Sequence, residues 1–267
     1  MPFDYIQKTR AWGSKFLPNY LDASLLARRE LGSFATTFAV KRIEVQNRSG
    51  QTCNIGYGGR LPADSTLWKA GAYVTGSPGT YTDDTADAQS SAASDFALST
   101  TTNNDGFIVL CQIPFNVLSA LVGQAANGSP VWDIEYSKAG GTWTSIGANA
   151  LSLPVYNTTA EHVAWWEIPL DWGVSEAGHA TGIPTGYYAI RIRATTAPTV
   201  TAALATTLIP GIIVQAVENV ADNQYAFWNY NEEVILPPQC DGLAVVMAGA
   251  NIPNAQNIVS YQYRLRG

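Results

Sequence analysis

The chain has only two histidines, His162 and His179, and their surroundings limit what chemistry they could do. They stand in Ala160-Glu161-His162-Val163 and Ala177-Gly178-His179-Ala180. Neither has the HxH or HExxH spacing that brings two imidazoles to one metal, so both read as surface or turn residues. A Ser-His-Asp or Cys-His arrangement assembles across a fold, but no GxSxG elbow points to one here. Asp83, Asp84 and Asp87 could offer oxygens to a cation such as Ca²⁺; three carboxylates among Thr and Ser are more often solvated charge. Gly56, Gly58 and Gly59 are followed by no GK[ST], so they form no phosphate loop and read as turn residues beside a strand. Glu232 and Glu233 fall on opposite faces of a strand and are no glycosidase pair. Cys53, Cys111 and Cys240 are odd in number, far apart and in no ligand spacing. That argues against a disulfide framework and for buried reduced thiols. No catalytic, metal-binding or cofactor-binding residue is assigned, no cofactor is expected, and the chain reads as non-enzymatic.

Aromatic residues offer the other candidate chemistry. Trp166, Ile168, Leu170 and Trp172 share a parity and read as core, whereas Trp165 has the opposite parity. With Phe227, Trp228 and Tyr230 it could form a sugar-stacking platform, although core or interface packing is the commoner fate of such rings. Composition favours contact with other proteins. Only 13% of residues are Asp, Glu, Lys or Arg, about half the usual share, alongside 8 Trp and 13 Tyr. Interface centres have this bias, because desolvating an unpaired ion costs several kcal/mol while burying an aromatic is favourable. A net charge of -6 and a pI near 4.9 disfavour nucleic-acid binding, which needs a basic face.

Residues 1–34 read as an N-terminal arm, extended and in part helical. Its first 31 residues hold five basic and three acidic side chains, while the remainder holds 10 basic and 18 acidic. Leu21 to Leu31 has a helical pattern, with Asp22 placed to cap it and Gly32 to end it. One short helix cannot make a core alone. Phe3, Tyr5, Trp12, Phe16 and Tyr20 are candidate anchors on a partner, with Lys8, Arg10, Lys15, Arg28 and Arg29 meeting acidic surface. The first residues show no basic region followed by an apolar stretch, so no signal peptide is expected and synthesis in a cytoplasm is. No apolar run reaches the roughly 18 residues of a membrane helix, and no membrane association is expected.

From Phe34 onward the pattern is β. Val131 to Ser137 alternates Trp132, Ile134 and Tyr136 with Asp133, Glu135 and Ser137, and Lys138-Ala139-Gly140-Gly141 turns it into Thr142 to Ile146. Tyr187 to Ala194 places Tyr188, Ile190, Ile192 and Ala194 inward and Arg191 and Arg193 outward, predicting a strand with one wet face. Pro114 and Pro169 each follow an Ile and belong at a bulge, strand end or edge. The hydroxyl-rich stretch 76–102 reads as a long surface excursion. These signals predict an all-β chain of two β-sandwich units; the central run resembles a fibronectin-type or immunoglobulin-like module, which implies immunoglobulin-like or jelly-roll-like sandwiches. The central unit covers 94–210 and is inserted into an outer one made of 35–93 and 211–267.

The arm, the Glu135–Ile146 hairpin (EYSKAGGTWTSI) and the strand Tyr187–Ala194 (YYAIRIRA) together resemble virion structural proteins of tailed bacteriophages. The resemblance is to capsid decoration (cement) proteins or to sandwich modules of tail and fibre components. It implies a location in the virion, partners among major capsid or tail subunits, and homo-oligomerisation. The alternative is a receptor- or glycan-binding sandwich module of a tail fibre or a bacterial surface protein.

Overall fold

The computed structural model describes residues 6–12, 37–48, 50–62, 66–90, 92, 96–235, 240, 242–248 and 257–266. They are almost entirely β. In chain order the strands are β1 Ile6–Trp12, β2 Thr37–Gln46, β3 Cys53–Arg60, β4 Trp68–Val74, β5 Gly79–Asp83, β6 Gly106–Cys111, β7 Val117–Gln124, β8 Val131–Lys138 and β9 Thr142–Ser145. They continue with β10 Ala150–Ser152, β11 Glu161–Trp166, β12 Ala180–Thr181, β13 Tyr188–Thr196, β14 Ala203–Leu204, β15 Ile209–Val220, β16 Tyr225–Ile235, β17 Gly242–Ala248 and β18 Asn257–Arg266. Among the described residues the one α-helix is α1, Thr85–Ala88. It is too short to contribute much by itself.

The chain divides into a discontinuous unit, Met1–Pro62 with Gly211–Gly267, and an inserted unit, Ala63–Pro210. In the discontinuous unit one sheet has the order β1-β18-β2-β16, and β3 is paired on its two sides by β15 and β17. Tyr57 of β3 packs edge-on against Trp228 of β16, with ring centroids 5.1 Å apart. Ile43, Val45 and Ile55 are fully buried beside them. Residues 6–12, expected to be part of a partner-binding arm, form strand β1 paired with β18. The helix expected over 21–31 and the remaining arm positions lie outside the described residues.

In the inserted unit one sheet runs β12-β5-β4-β6-β13-β8-β9, and a second runs β10-β11-β7 with β14 also on β7. Residues 63–93, expected in the outer unit, instead supply β4, β5 and α1 here, with β4 pairing to β6. Nor is 76–102 a surface excursion, since Tyr81, Ala88, Phe96 and Leu98 are all buried. Only alternate residues of Gly79–Asp83 face inward, and the threonines between them disguise the strand.

The hairpin of β8 and β9 closes as its alternation requires. Lys138 pairs with Thr142, and Gly140 and Gly141 take up the positive φ values of 86° and 71° that the turn demands. Trp132, Ile134 and Tyr136 are buried, as are Ile190, Ile192 and Ala194 of β13. Pro114 and Pro169 both lie just beyond strand ends, where a missing N–H costs no ladder bond. The same turn overturns one expectation. β11 ends at Trp166, so parity is lost beyond it, and Ile168 and Leu170 are exposed at 41% and 107% while Trp166 and Trp172 are buried.

Candidate functional site

Among the described residues, the densest set of interacting charges lies on β8 and β13 of the inserted unit. Antiparallel register sets Arg191 opposite Glu135 and Arg193 opposite Asp133. Glu135 Oε2 accepts from Arg191 Nε at 2.7 Å and from Arg193 Nε at 2.7 Å, and Oε1 accepts from Arg193 Nη2 at 3.2 Å. Asp133 completes the balance, pairing with Arg193 at 3.4 Å and accepting from the Ser145 hydroxyl at 2.7 Å. Two cations thus meet two anions. With its oxygens committed to guanidinium N–H groups, Glu135 is bound as a structural counter-ion and not poised as a general base.

This is the face of β13 that the alternation predicts to be wet. Instead, Glu135 and Arg191 are buried, because β13 is a central strand and the polar face carries a cover. The Arg191 guanidinium lies 4.6 Å from the Tyr73 ring centroid and 4.7 Å from that of Trp143. Cation–π contacts of this kind partly replace lost hydration. Tyr73 and Tyr81 also pack with Ile108, Leu110, Ala180, Ile183 and Ala189. A Cβ on Gly79 would come 2.5 Å from the Tyr73 ring, and one on Gly71 would come 2.6 Å from the Tyr81 ring. The two glycines thus let the two rings lie against the neighbouring strand.

His179 belongs to this cover. Its Nδ1 accepts the Glu176 amide at 3.0 Å, its carbonyl accepts Trp143 Nε1 at 3.0 Å, and its ring meets Trp143 edge-on at 4.9 Å. Tyr81 Oη, His179 Nε2 and Trp166 Nε1 are the buried side-chain polar atoms without a hydrogen-bond partner among the described residues. His162 is also buried, against Tyr156 at 5.6 Å and the Thr158 carbonyl at 3.0 Å. Both histidines are thus buried and not on the surface, although His179 does lie in a turn.

The remaining candidates separate. Trp165 is 1% exposed and offers no ring face to a sugar. Trp228 is buried against Tyr57, and the Tyr230 hydroxyl is taken up by Tyr57 at 2.5 Å and Gln215 at 2.6 Å. Phe227 alone of the four is exposed, and the Arg42 guanidinium lies 4.9 Å from its ring centroid. The four aromatics therefore do not make a platform. Gly58 and its neighbours lie inside β3 and not in a turn; a Cβ on Gly58 would fall 1.7 Å from the Ile212 carbonyl oxygen. Glu232 and Glu233 lie in β16. Burial pushes the Cys111 thiol up to about 11, so it stays protonated at neutral pH. Of the proposed partner-binding residues, Lys8, Arg10 and Trp12 fall in β1; Phe3, Tyr5, Lys15, Phe16, Tyr20, Arg28 and Arg29 lie outside the described residues.

Among the described residues no three His, Cys, Asp or Glu side chains converge. Asp83 Oδ1 instead accepts the Thr85 hydroxyl at 2.6 Å and amide at 3.0 Å, beside Lys69 at 3.7 Å. Partial burial alone would raise the Asp83 carboxyl; the Thr85 bonds and Lys69 outweigh it and hold the group below its usual range. Asp171 is also held low, first by Lys138 at 2.5 Å and then by the Tyr136 hydroxyl. A depressed carboxyl contributes stability above its unfolded value near 3.9, which is lost as pH falls through the folded value. Thermal melts should therefore decline gently below about pH 4, and Asp171→Asn should flatten that decline. The effect is small because both carboxylates are about half exposed. An unchanged slope in the variant would remove Asp171 from the account.

Sequence reasoning missed the Glu135 cluster, although a signal existed. Two runs carry opposite charges at i and i+2, Asp133/Glu135 and Arg191/Arg193, and such runs are matched partners for neighbouring strands. No helix among the described residues is long and apolar enough to cross a membrane. No protein-family model matches the sequence, and a search of curated proteins finds no match either.

Proposed function

We propose that this chain is a non-enzymatic structural protein of a tailed-bacteriophage virion, a decoration or tail component that binds and stabilises a capsid or tail lattice. In this reading each unit is a β-sandwich, made in the host cytoplasm and covered by neighbours after assembly. The observation that carries it is the tip Ile168-Pro169-Leu170, which presents Leu170 fully to solvent in a chain otherwise sparing of surface charge. The tip is held on both sides. The Glu167 amide bonds the Asn149 carbonyl at 2.9 Å, Asp171 bonds Lys138 and Tyr136, and Trp172 donates to Ser137 at 3.2 Å. A rigid apolar knob of this kind suits a partner's pocket, because little entropy is lost on docking. Further contacts would come from the arm.

Mass spectrometry of purified particles from the source tests the reading, with the chain expected at stoichiometric level. Leu170→Asp should leave the melting temperature within experimental error, since the side chain is fully exposed, and should lower incorporation into particles. Particles lacking the chain would end the virion reading. Normal incorporation of the variant would move the contact elsewhere.

A further inference from the structure

Strand β1 lies at an edge of its sheet. Among the described residues it has one ladder, with β18, from Ile6 opposite Tyr263 to Trp12 opposite Asn257. Because β1 is antiparallel to β18 and β18 is antiparallel to β2, β1 runs parallel to β2 with β18 between them. Parallel strands cannot be joined by a tight turn. Trp12 lies at the end of the sheet where β2 finishes, so the chain must return about 30 Å along the strands and roughly 10 Å across them to reach Thr37. The 24 residues between β1 and β2 can make that crossing, and the same length reaches a neighbouring molecule equally well.

Every copy of the chain presents the same β18 edge. From this topology we infer that the β18 edge is an interaction surface whose partner is a second copy's β1, exchanged between neighbouring subunits. The exchanged ladder has the same register as the closed one, so exchange forfeits no contact, which makes this a low-cost route to association. Lys8 and Arg10 within β1 are types that discourage further addition at an open edge, so a docked β1 ends the sheet. In dilute solution the tether favours closure within one chain, with an effective concentration on the order of millimolar. Subunits held side by side exceed that value. The inference rests on the assembly reading above and names the contact that the arm makes.

Thr9 and Ser260 are register partners and supply the test. Full-length copies carrying Thr9→Cys are mixed with copies carrying Ser260→Cys, refolded together across a concentration series and treated with a short bismaleimide. Each variant alone sets the background. An inter-chain product above background that rises with concentration is expected. A second variant lacking residues 15–34 keeps only 13–14 and 35–36, whose five steps from Trp12 to Thr37 reach at most about 18 Å and cannot close within one molecule. It should be oligomeric at micromolar concentration with the β1 amides protected from hydrogen exchange. No inter-chain product at any concentration, or a monomeric deletion variant with unprotected β1 amides, overturns the exchange. Loss of exchange in a protein still found in particles leaves the virion reading standing. Exchange by a protein absent from particles supports this contact and sinks that reading.

Discussion

Replacing Glu135 with Ala is expected to destabilise the inserted unit by about 3–5 kcal/mol, the usual cost of breaking a buried ion pair by removing one partner. The carboxylate is 8% exposed and faces the Arg191 side chain, 10% exposed, at 2.6 Å. Its removal strands one guanidinium between Tyr73 and Trp143 and takes the main anion from Arg193. Asp133 cannot replace it, since its register partner is Arg193 and its second bond is to Ser145. Urea unfolding followed by tryptophan fluorescence measures the loss. Adding Arg191→Leu should recover part of it, because the unpaired charge is then gone, and the double-mutant cycle gives the coupling. A loss below about 0.5 kcal/mol, the size of a surface substitution, would mean that both guanidiniums are solvated.

The second large effect is expected on the opposite face of the same sheet, on the neighbouring strand β13. Ile190 is fully buried and sits between Val109 of β6 and Tyr136 of β8. Ile190→Ala should cost about 2–5 kcal/mol, the sum of lost transfer free energy and the cavity left behind. A one-residue slip of β13 would carry Ile190 to the polar face and bring Arg191 inward. The measurement therefore checks register as well as burial. A cost below about 0.5 kcal/mol would place that strand on the surface.

The two variants probe the two faces of the paired strands β8 and β13, and the faces differ in how legible they are. Ile190 and Ile192, like Trp132, Ile134 and Tyr136, are apolar at every second position, and that pattern is local to the run that carries it. The hairpin between β8 and β9 is local as well, because two adjacent glycines can take positive φ where other residues are strained. Locality fails at Ile168 and Leu170. Their parity with Trp166 holds only if the strand continues, and Pro169 ends any such continuation. It fails again at Gly79–Asp83, where the apolar half of the pattern is one glycine and one tyrosine.

From its own sequence this protein is determined to be all-β, with strands at the alternating runs, chain reversals at the glycines and few charges to spare for its surface. Only the tertiary structure decides which strands become neighbours, because pairing is set by contacts between runs distant in sequence, as in β8 with β13 or β1 with β18. It also decides what covers the second face of a sheet. Tyr73, Trp143 and His179 arrive over β13 from three separate segments, so a strand whose residues alternate apolar and charged is buried on both sides. Its charges are tolerable there because each arginine finds a carboxylate on β8.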